Sequence, residues 1–206
     1  MTYPPEPWYL GGSLSVSLFR VPASALPAGS SPIVVRGQAL VGVAFAHYGP
    51  GGVLAYDELL VATPTIDRAR PRVTIPQIWV DSPASLEGGR ALWGIPKEPG
   101  RFERKERADA ARVSMSTDAG PVARLDARFG RAIVPGMRQL PLPILQRDGG
   151  RGILSHNRVI GRVRTMRTRW EFAADGPLGY LAGRRPFASF ALRDASIVFG
   201  MDVERS

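Results

Sequence analysis

The stretch Trp93-Gly94-Ile95-Pro96-Lys97-Glu98 puts an amine where the chain otherwise uses guanidinium. Of 27 basic residues, 25 are arginine, and the two lysines are Lys97 and Lys105. A guanidinium stays protonated in proteins, whereas an amine can lose its proton and become a nucleophile. A free lysine amine is almost wholly protonated at neutral pH. Apolar surroundings disfavour that charge and expose the lone pair that attacks a carbonyl. Trp93, Ile95 and Pro96 precede Lys97 and are suited to wall such a pocket. An ordinary surface lysine is the plain alternative.

Other chemistries find less support. The chain has no cysteine, which excludes disulfides, thiolate metal sites and a cysteine nucleophile and fits a reducing, cytoplasmic setting. His47 and His156 are too few for a relay and stand in turn-like contexts, and the carboxylates are scattered. No zinc or calcium site is expected. There is no Gly-x-Ser-x-Gly elbow. Gly49-Pro50-Gly51-Gly52 lacks the following Lys-Ser/Thr of a phosphate loop. The opening residues lack the basic and apolar regions of a signal peptide, and no apolar run reaches the length of a membrane span. The expectation is a cytoplasmic protein with no membrane partner.

The elements that must position Lys97 read mainly as strands. A chain of 206 residues with 44% hydrophobic and 22% charged residues suits a single globular domain spanning 1–206. Ser13-Leu14-Ser15-Val16-Ser17-Leu18-Phe19 alternates as a half-buried strand with its serines outward. Residues 39 to 46 form a short apolar run, as in a strand covered on both faces. Pro76 marks the strand around residues 73–79 as an edge or bulged one. Asp81 or Ser82 can cap a short helix with Pro83 at its first position; Gly88-Gly89 weakens or kinks it. Ile95-Pro96-Lys97 then reads as extended. Residues 101–112 are a solvated helix or a strand with an exposed face. A hairpin turns at Asp118-Ala119-Gly120. Further turns fall at Asp148-Gly149-Gly150 and at His156-Asn157. Many short strands with Gly/Pro turns predict a mainly β fold, a largely antiparallel barrel or sandwich with one or two short helices.

The segment Glu87-Gly88-Gly89-Arg90-Ala91-Leu92-Trp93-Gly94-Ile95-Pro96-Lys97-Glu98, with Ser82-Pro83 just before it, resembles the active-site segment of the acetoacetate decarboxylase superfamily. Gly89-Arg90 and Pro96-Lys97 fit the family's Gly-Arg and Pro-Lys pairs. His47 to Leu60 is similar to the family's glycine-containing loop and Tyr-x-Glu, which places Tyr56 and Glu58. Leu140 to Gly152 resembles a proline-rich stretch in the second half. The resemblance implies an antiparallel barrel or cone and an imine between Lys97 and the ketone of a β-keto acid. It implies Glu58 as acid/base, Arg90 as a candidate for the substrate carboxylate, and Tyr56 and Trp93 as pocket residues. A structural ion pair is the alternative for Arg90, and plain core packing for Tyr56 and Trp93. The lysine is itself the electron sink, so no cofactor is needed. Family members form homo-oligomers, and one is expected here.

Two departures stand out. The family's enzyme has a second lysine after the Schiff-base lysine, where this chain has Glu98, and a carboxylate beside an amine favours the ammonium. In an extended segment, however, neighbouring side chains point to opposite faces. The family's early arginine and additional glutamate align with Gly12 and Val43. This puts the substrate in question more than the lysine. Aldol or dehydration chemistry, or anion binding without catalysis, are the alternatives within the fold. A basic nucleic-acid-binding β domain is a remote one. It draws on the net charge of +9 and on Arg158, Arg162, Arg164, Arg167 and Arg169 beside Trp170 and Phe172.

Overall fold

The computed structural model describes residues 3–27, 32–148 and 150–206. Its strands are β1 (Trp8–Pro22), β2 (Val34–Val35), β3 (Gln38–Tyr48), β4 (Tyr56–Asp67), β5 (Arg70–Val80), β6 (Lys97–Pro99), β7 (Arg101–Glu106), β8 (Ala110–Thr117), β9 (Gly120–Ala132), β10 (Arg138–Asp148), β11 (Arg151–Phe172), β12 (Ala188–Phe199) and β13 (Val203–Arg205). Helix α1 (Pro83–Trp93) lies between β5 and β6, and single helical turns occupy Ala23–Ala25 and Gly179–Leu181.

The pairing order β10-β5-β4-β3-β1-β12-β11 returns from β11 to β10, so seven strands close into a ring. Most pairs are antiparallel. The parallel exceptions are β5 with β6 and the single contact of β10 with β5, Ile144 opposite Val73. That seam is helped by side chains: Thr74 Oγ1 donates to the Leu145 carbonyl at 3.1 Å, and Gln146 Nε2 donates to the Ile75 carbonyl at 2.9 Å. The long strand β11 joins the ring to a lateral extension of the same sheet. Its first part pairs with β10 and β12, and its last part pairs with β9, which leads to β8 and β7.

Strand alternation sorts side chains into two cores. Inside the ring lie Leu10, Tyr48, Tyr56, Ile78, Ile144 and Ile197, with Trp8 and Trp93 at one end. Outside it, Phe19, Val43, Phe45, Leu59 and Trp79 pack against Val113, Met115 and Leu125 of β8 and β9. Strands β3 and β4 are therefore covered on both faces, which explains the continuous apolar run in β3. Trp170 and Phe172 belong to the outer core, their rings stacked 5.2 Å apart, with Trp170 also stacked on Phe45. Both rings are half-buried against this core. Of the neighbouring arginines, Arg162 pairs with Asp194 and Arg169 with Glu171.

Several local expectations need correction. The serine face of β1 is not the outward one: Ser17 is fully buried, its hydroxyl 2.7 Å from that of Ser189 and accepting from Trp170 Nε1 at 2.9 Å. Paired hydroxyls let a polar residue sit in an apolar layer. Residues 101–106 form strand β7, with alternate residues exposed. Pro76 coincides with a register shift between β4 and β5, as a bulge requires. The β8–β9 hairpin turns between Thr117 and Gly120 as expected. The turn read at Asp148-Gly149-Gly150 includes Gly149, which lies outside the described residues; the ladder on either side closes at Asp148 opposite Arg151.

His156-Asn157 is no turn, because β11 runs straight through it. Asn157 is buried and bonded across strands. Its Nδ2 donates to the Leu142 carbonyl at 3.0 Å, and its Oδ1 accepts from the Gly200 amide at 2.6 Å. A polar side chain that reads as a turn signal is here a tie between β11, β10 and the end of β12. Replacing Asn157 with Ala strands a buried amide and a buried carbonyl, and is expected to cost roughly 1–3 kcal/mol, measured as a lower midpoint in urea unfolding.

Candidate active site

Lys97 owes its position to a sharply delimited helix. Ser82 caps α1 by accepting from the Ser85 amide, Pro83 occupies the first turn, and Gly94 ends the helix in the left-handed region at φ 63°. The chain then reverses into β6, where Lys97 lies beside Ile78 and Glu98 beside Trp79. Arg90 Nε donates to the Lys97 carbonyl at 2.7 Å and ties helix to strand.

The expected kink at Gly88-Gly89 is absent, and α1 is continuous. Both glycines are buried contacts instead. A Cβ on Gly88 would lie 2.5 Å from Trp8 Cζ2, and one on Gly89 would lie 2.7 Å from Cδ and Cε of Lys97. The bare helix face lets the lysine stem lie against it.

Lys97 points into the ring and is 3% exposed. Its Nζ donates to Glu58 Oε2 at 3.0 Å and to Ser85 Oγ at 2.9 Å, and lies 5.1 Å from the centre of the Tyr56 ring. Glu58, from β4, is 4% exposed and accepts from Tyr48 hydroxyl on its other oxygen at 3.3 Å. Burial, with the Glu58 charge beside them, pushes both Tyr48 and Tyr56 well above the ordinary phenol range. Both stay protonated at neutral pH and present O–H donors to the carboxylate.

Glu98 faces the other way. The alternation of β6 turns it to the opposite side of the sheet, where it is exposed and accepts from Trp79 Nε1 at 3.1 Å. The carboxylate at the family's second-lysine position is thus separated from the amine by the sheet itself.

Lys97 closes one end of a cavity of about 90 Å³ inside the ring. Glu58, Tyr48, Tyr56 and Trp93 also line it, and the rest of its wall is aliphatic and aromatic. Trp93 is fixed by its Nε1 donating to Glu6 Oε2 at 2.9 Å and by edge contacts with Trp8 and Phe199. Arg90 is exposed and does not line the cavity. Its Nε is bonded to a backbone carbonyl, that of Lys97. Gly12 abuts the His47 carbonyl, and Val43 belongs to the outer core, so neither position supplies a charge to the cavity.

Of the residues singled out in the sequence, Lys97, Glu58, Tyr56 and Trp93 come together and Arg90 stays outside. Ser85 and Tyr48 reach the amine and the carboxylate without having been singled out. Tyr48 was discoverable, since the β3–β4 ladder ends with Tyr48 opposite Tyr56. Ser85 had no such signal, because a serine in the first turn of a helix reads as helix-start chemistry.

The histidines lie elsewhere. His47 Nδ1 is 2.9 Å from Asp57 and its Nε2 is 2.9 Å from Arg104, in a cluster on the outer side of the sheet that continues through Glu106 to Arg193. His156 lies 3.5 Å from Glu204. Among the described residues, no group of three or more His, Asp or Glu is placed to hold a metal ion.

The fold has counterparts in solved structures. Acetoacetate decarboxylase from Legionella pneumophila subsp. pneumophila str. Philadelphia 1 is 13% identical, with a TM-score of 0.73 over 100% of this chain and 89% of that one. An acetoacetate decarboxylase-like enzyme from Sphingomonas wittichii RW1 is 15% identical, with a TM-score of 0.68 over 98% and 94%. The enduracididine biosynthesis enzyme MppR, complexed with the condensation product of pyruvate and imidazole 4-carboxaldehyde, is 18% identical, with a TM-score of 0.66 over 99% and 90%. At these identities the likeness is one of fold. No curated protein matches the chain in sequence. The family model for acetoacetate decarboxylase matches residues 23–144, more than half of the sequence and the whole of the segment from β3 through β9 that carries Glu58, Ser85 and Lys97. The chain belongs to the acetoacetate decarboxylase family.

Proposed function

We propose that the protein is a Schiff-base lyase whose nucleophile is Lys97 and whose acid/base is Glu58. The observation that carries this reading is the burial of Lys97 Nζ between Glu58 and Ser85 at the closed end of an apolar cavity. The ammonium passes a proton to Glu58 across their hydrogen bond, which cancels both charges. Burial favours the neutral pair, and mutual attraction favours the ionic one. The free amine adds to the substrate ketone, and the carbinolamine loses its oxygen as water with a proton returned by Glu58. In a β-keto acid the resulting iminium accepts the electron pair of the carboxylate's carbon–carbon bond. Carbon dioxide leaves, the enamine carbon takes up a proton, and hydrolysis releases the ketone and restores the lysine.

A second reading, aldol or dehydration chemistry through the same imine, is favoured by one observation. Among the described residues, no cation besides Lys97 lines the cavity to hold a substrate carboxylate. The condensation product held by MppR supports carbon–carbon bond chemistry within this fold.

Reduction with borohydride in the presence of keto acids and aldehydes tests both readings. A mass increment is expected on Lys97, absent in Lys97→Arg, and release of carbon dioxide separates decarboxylation from aldol chemistry. No adduct on Lys97 across the panel would overturn the imine and leave anion binding. Glu58→Gln is expected to slow turnover by about 100-fold or more. Gly89→Ala pushes a methyl group into the lysine stem. It should lower adduct formation on the order of 100-fold while far-ultraviolet circular dichroism stays that of the parent.

A further inference from the structure

The cavity is polar at one end only. Its polar lining groups are Tyr48, Tyr56, Glu58 and Lys97, and these cluster around the amine. From there the inward positions of β4 run Glu58, Leu60, Ala62, and those of β5 run Ile78, Ile75, Val73. At about 3.3 Å per residue, Ala62 lies roughly 13 Å along β4 from Glu58. A volume of about 90 Å³ spread along that path describes a slot one chain wide.

Burial changes along the slot. Lys97, Glu58, Tyr56, Trp93 and Ile78 are buried, whereas Leu14, Leu60, Ala62, Val73 and Leu142 are half-buried. These side chains face the interior of the ring, so solvent reaches them through its open end. The mouth therefore lies at the Ala62 end, and a substrate passes apolar wall before its carbonyl reaches the amine. A charge left along that wall would have no counterion and would lose its hydration, whereas each methylene buried there is favourable.

We propose that the carbonyl compound taken by Lys97 carries one unbranched apolar arm that lies between β4, β5 and β10, with Ala62 and Leu142 at the mouth setting its length. This deepens, and rests on, the reading of Lys97 as an imine-forming residue. Ala62 is the smallest side chain in the wall. A larger residue there shortens the slot without touching the amine.

The test is borohydride trapping on the intact protein with straight-chain methyl ketones, from acetone to methyl pentyl ketone. A methyl ketone whose chain ends in a carboxylate serves as the charged control. The concentration giving half-maximal labelling of Lys97 is expected to fall two- to fourfold per added methylene, following the known transfer preference of that group, until the slot is full. The charged chain gains nothing over acetone. In Ala62→Phe the ratio between long and short ketones collapses towards one. Leu142→Trp, on a different strand, gives the same collapse if Ala62→Phe fails to fold. Labelling of Lys97 that is indifferent to chain length, equal labelling by the charged chain, or an unchanged ratio in the folded variants would overturn the apolar arm and leave the imine standing. No labelling by any ketone would overturn both.

Discussion

Two opposite charges, Lys97 and Glu58, face each other at 3.0 Å inside an apolar ring, and much of the surrounding architecture answers that constraint. Removing such a pair from water is costly, and attraction alone compensates only when the remaining protons and lone pairs also find partners. Here Ser85 takes a second proton of the amine and Tyr48 donates to the second carboxylate oxygen. The aromatic face of Tyr56 lies near the ammonium. These groups come from α1, β3, β4 and β6, so the pair can exist only when four separate elements are in register. An apolar pair of the same volume would be easier to bury, which is why a retained ion pair in such a place points to chemistry.

The sheet separates what proximity in sequence would confuse. Lys97 and Glu98 are neighbours, as are Glu58 and Asp57, yet in each couple one side chain faces the cavity and the other the opposite side of the sheet. Glu98 is engaged by Trp79 and Asp57 by His47. The outer charges are satisfied locally, so the inner pair does not compete with them. Strand period is the device that lets a chain rich in charge keep one amine and one carboxylate in seclusion.

The sequence marked Lys97, its partner Glu58 and the strand-rich class, because each left a local sign. Lys97 stands out against 25 arginines, Glu58 follows a glycine loop at a fixed interval, and alternation announces strands. What it hid depended on long-range packing. Whether a serine face is outward depends on partners such as Trp170 and Ser189, which no window around β1 contains. Asn157 reads as a turn residue until the strand that supplies its partners is in place. Gly88 and Gly89 read as helix breakers because propensity counts backbone freedom and ignores what approaches the missing Cβ. Arg90, which the family resemblance brought towards the substrate, turns outward because its place on the helix aims it at the β6 backbone.

The β5–β10 seam has one backbone bridge where other neighbours share full ladders, and side-chain amide and hydroxyl groups supply part of the remaining connection. A ladder fixes the spacing of two strands, since every rung is backbone. A seam held by side chains has no such fixed gauge: a longer or shorter side chain at Thr74 or Gln146 resets the distance between strands without changing any register. The wall of the cavity is therefore adjustable along one line, like a hoop with a single sliding joint. Lineages sharing this ring have there a route to a wider or narrower bore by point substitution, with the amine and its carboxylate left untouched on the far side.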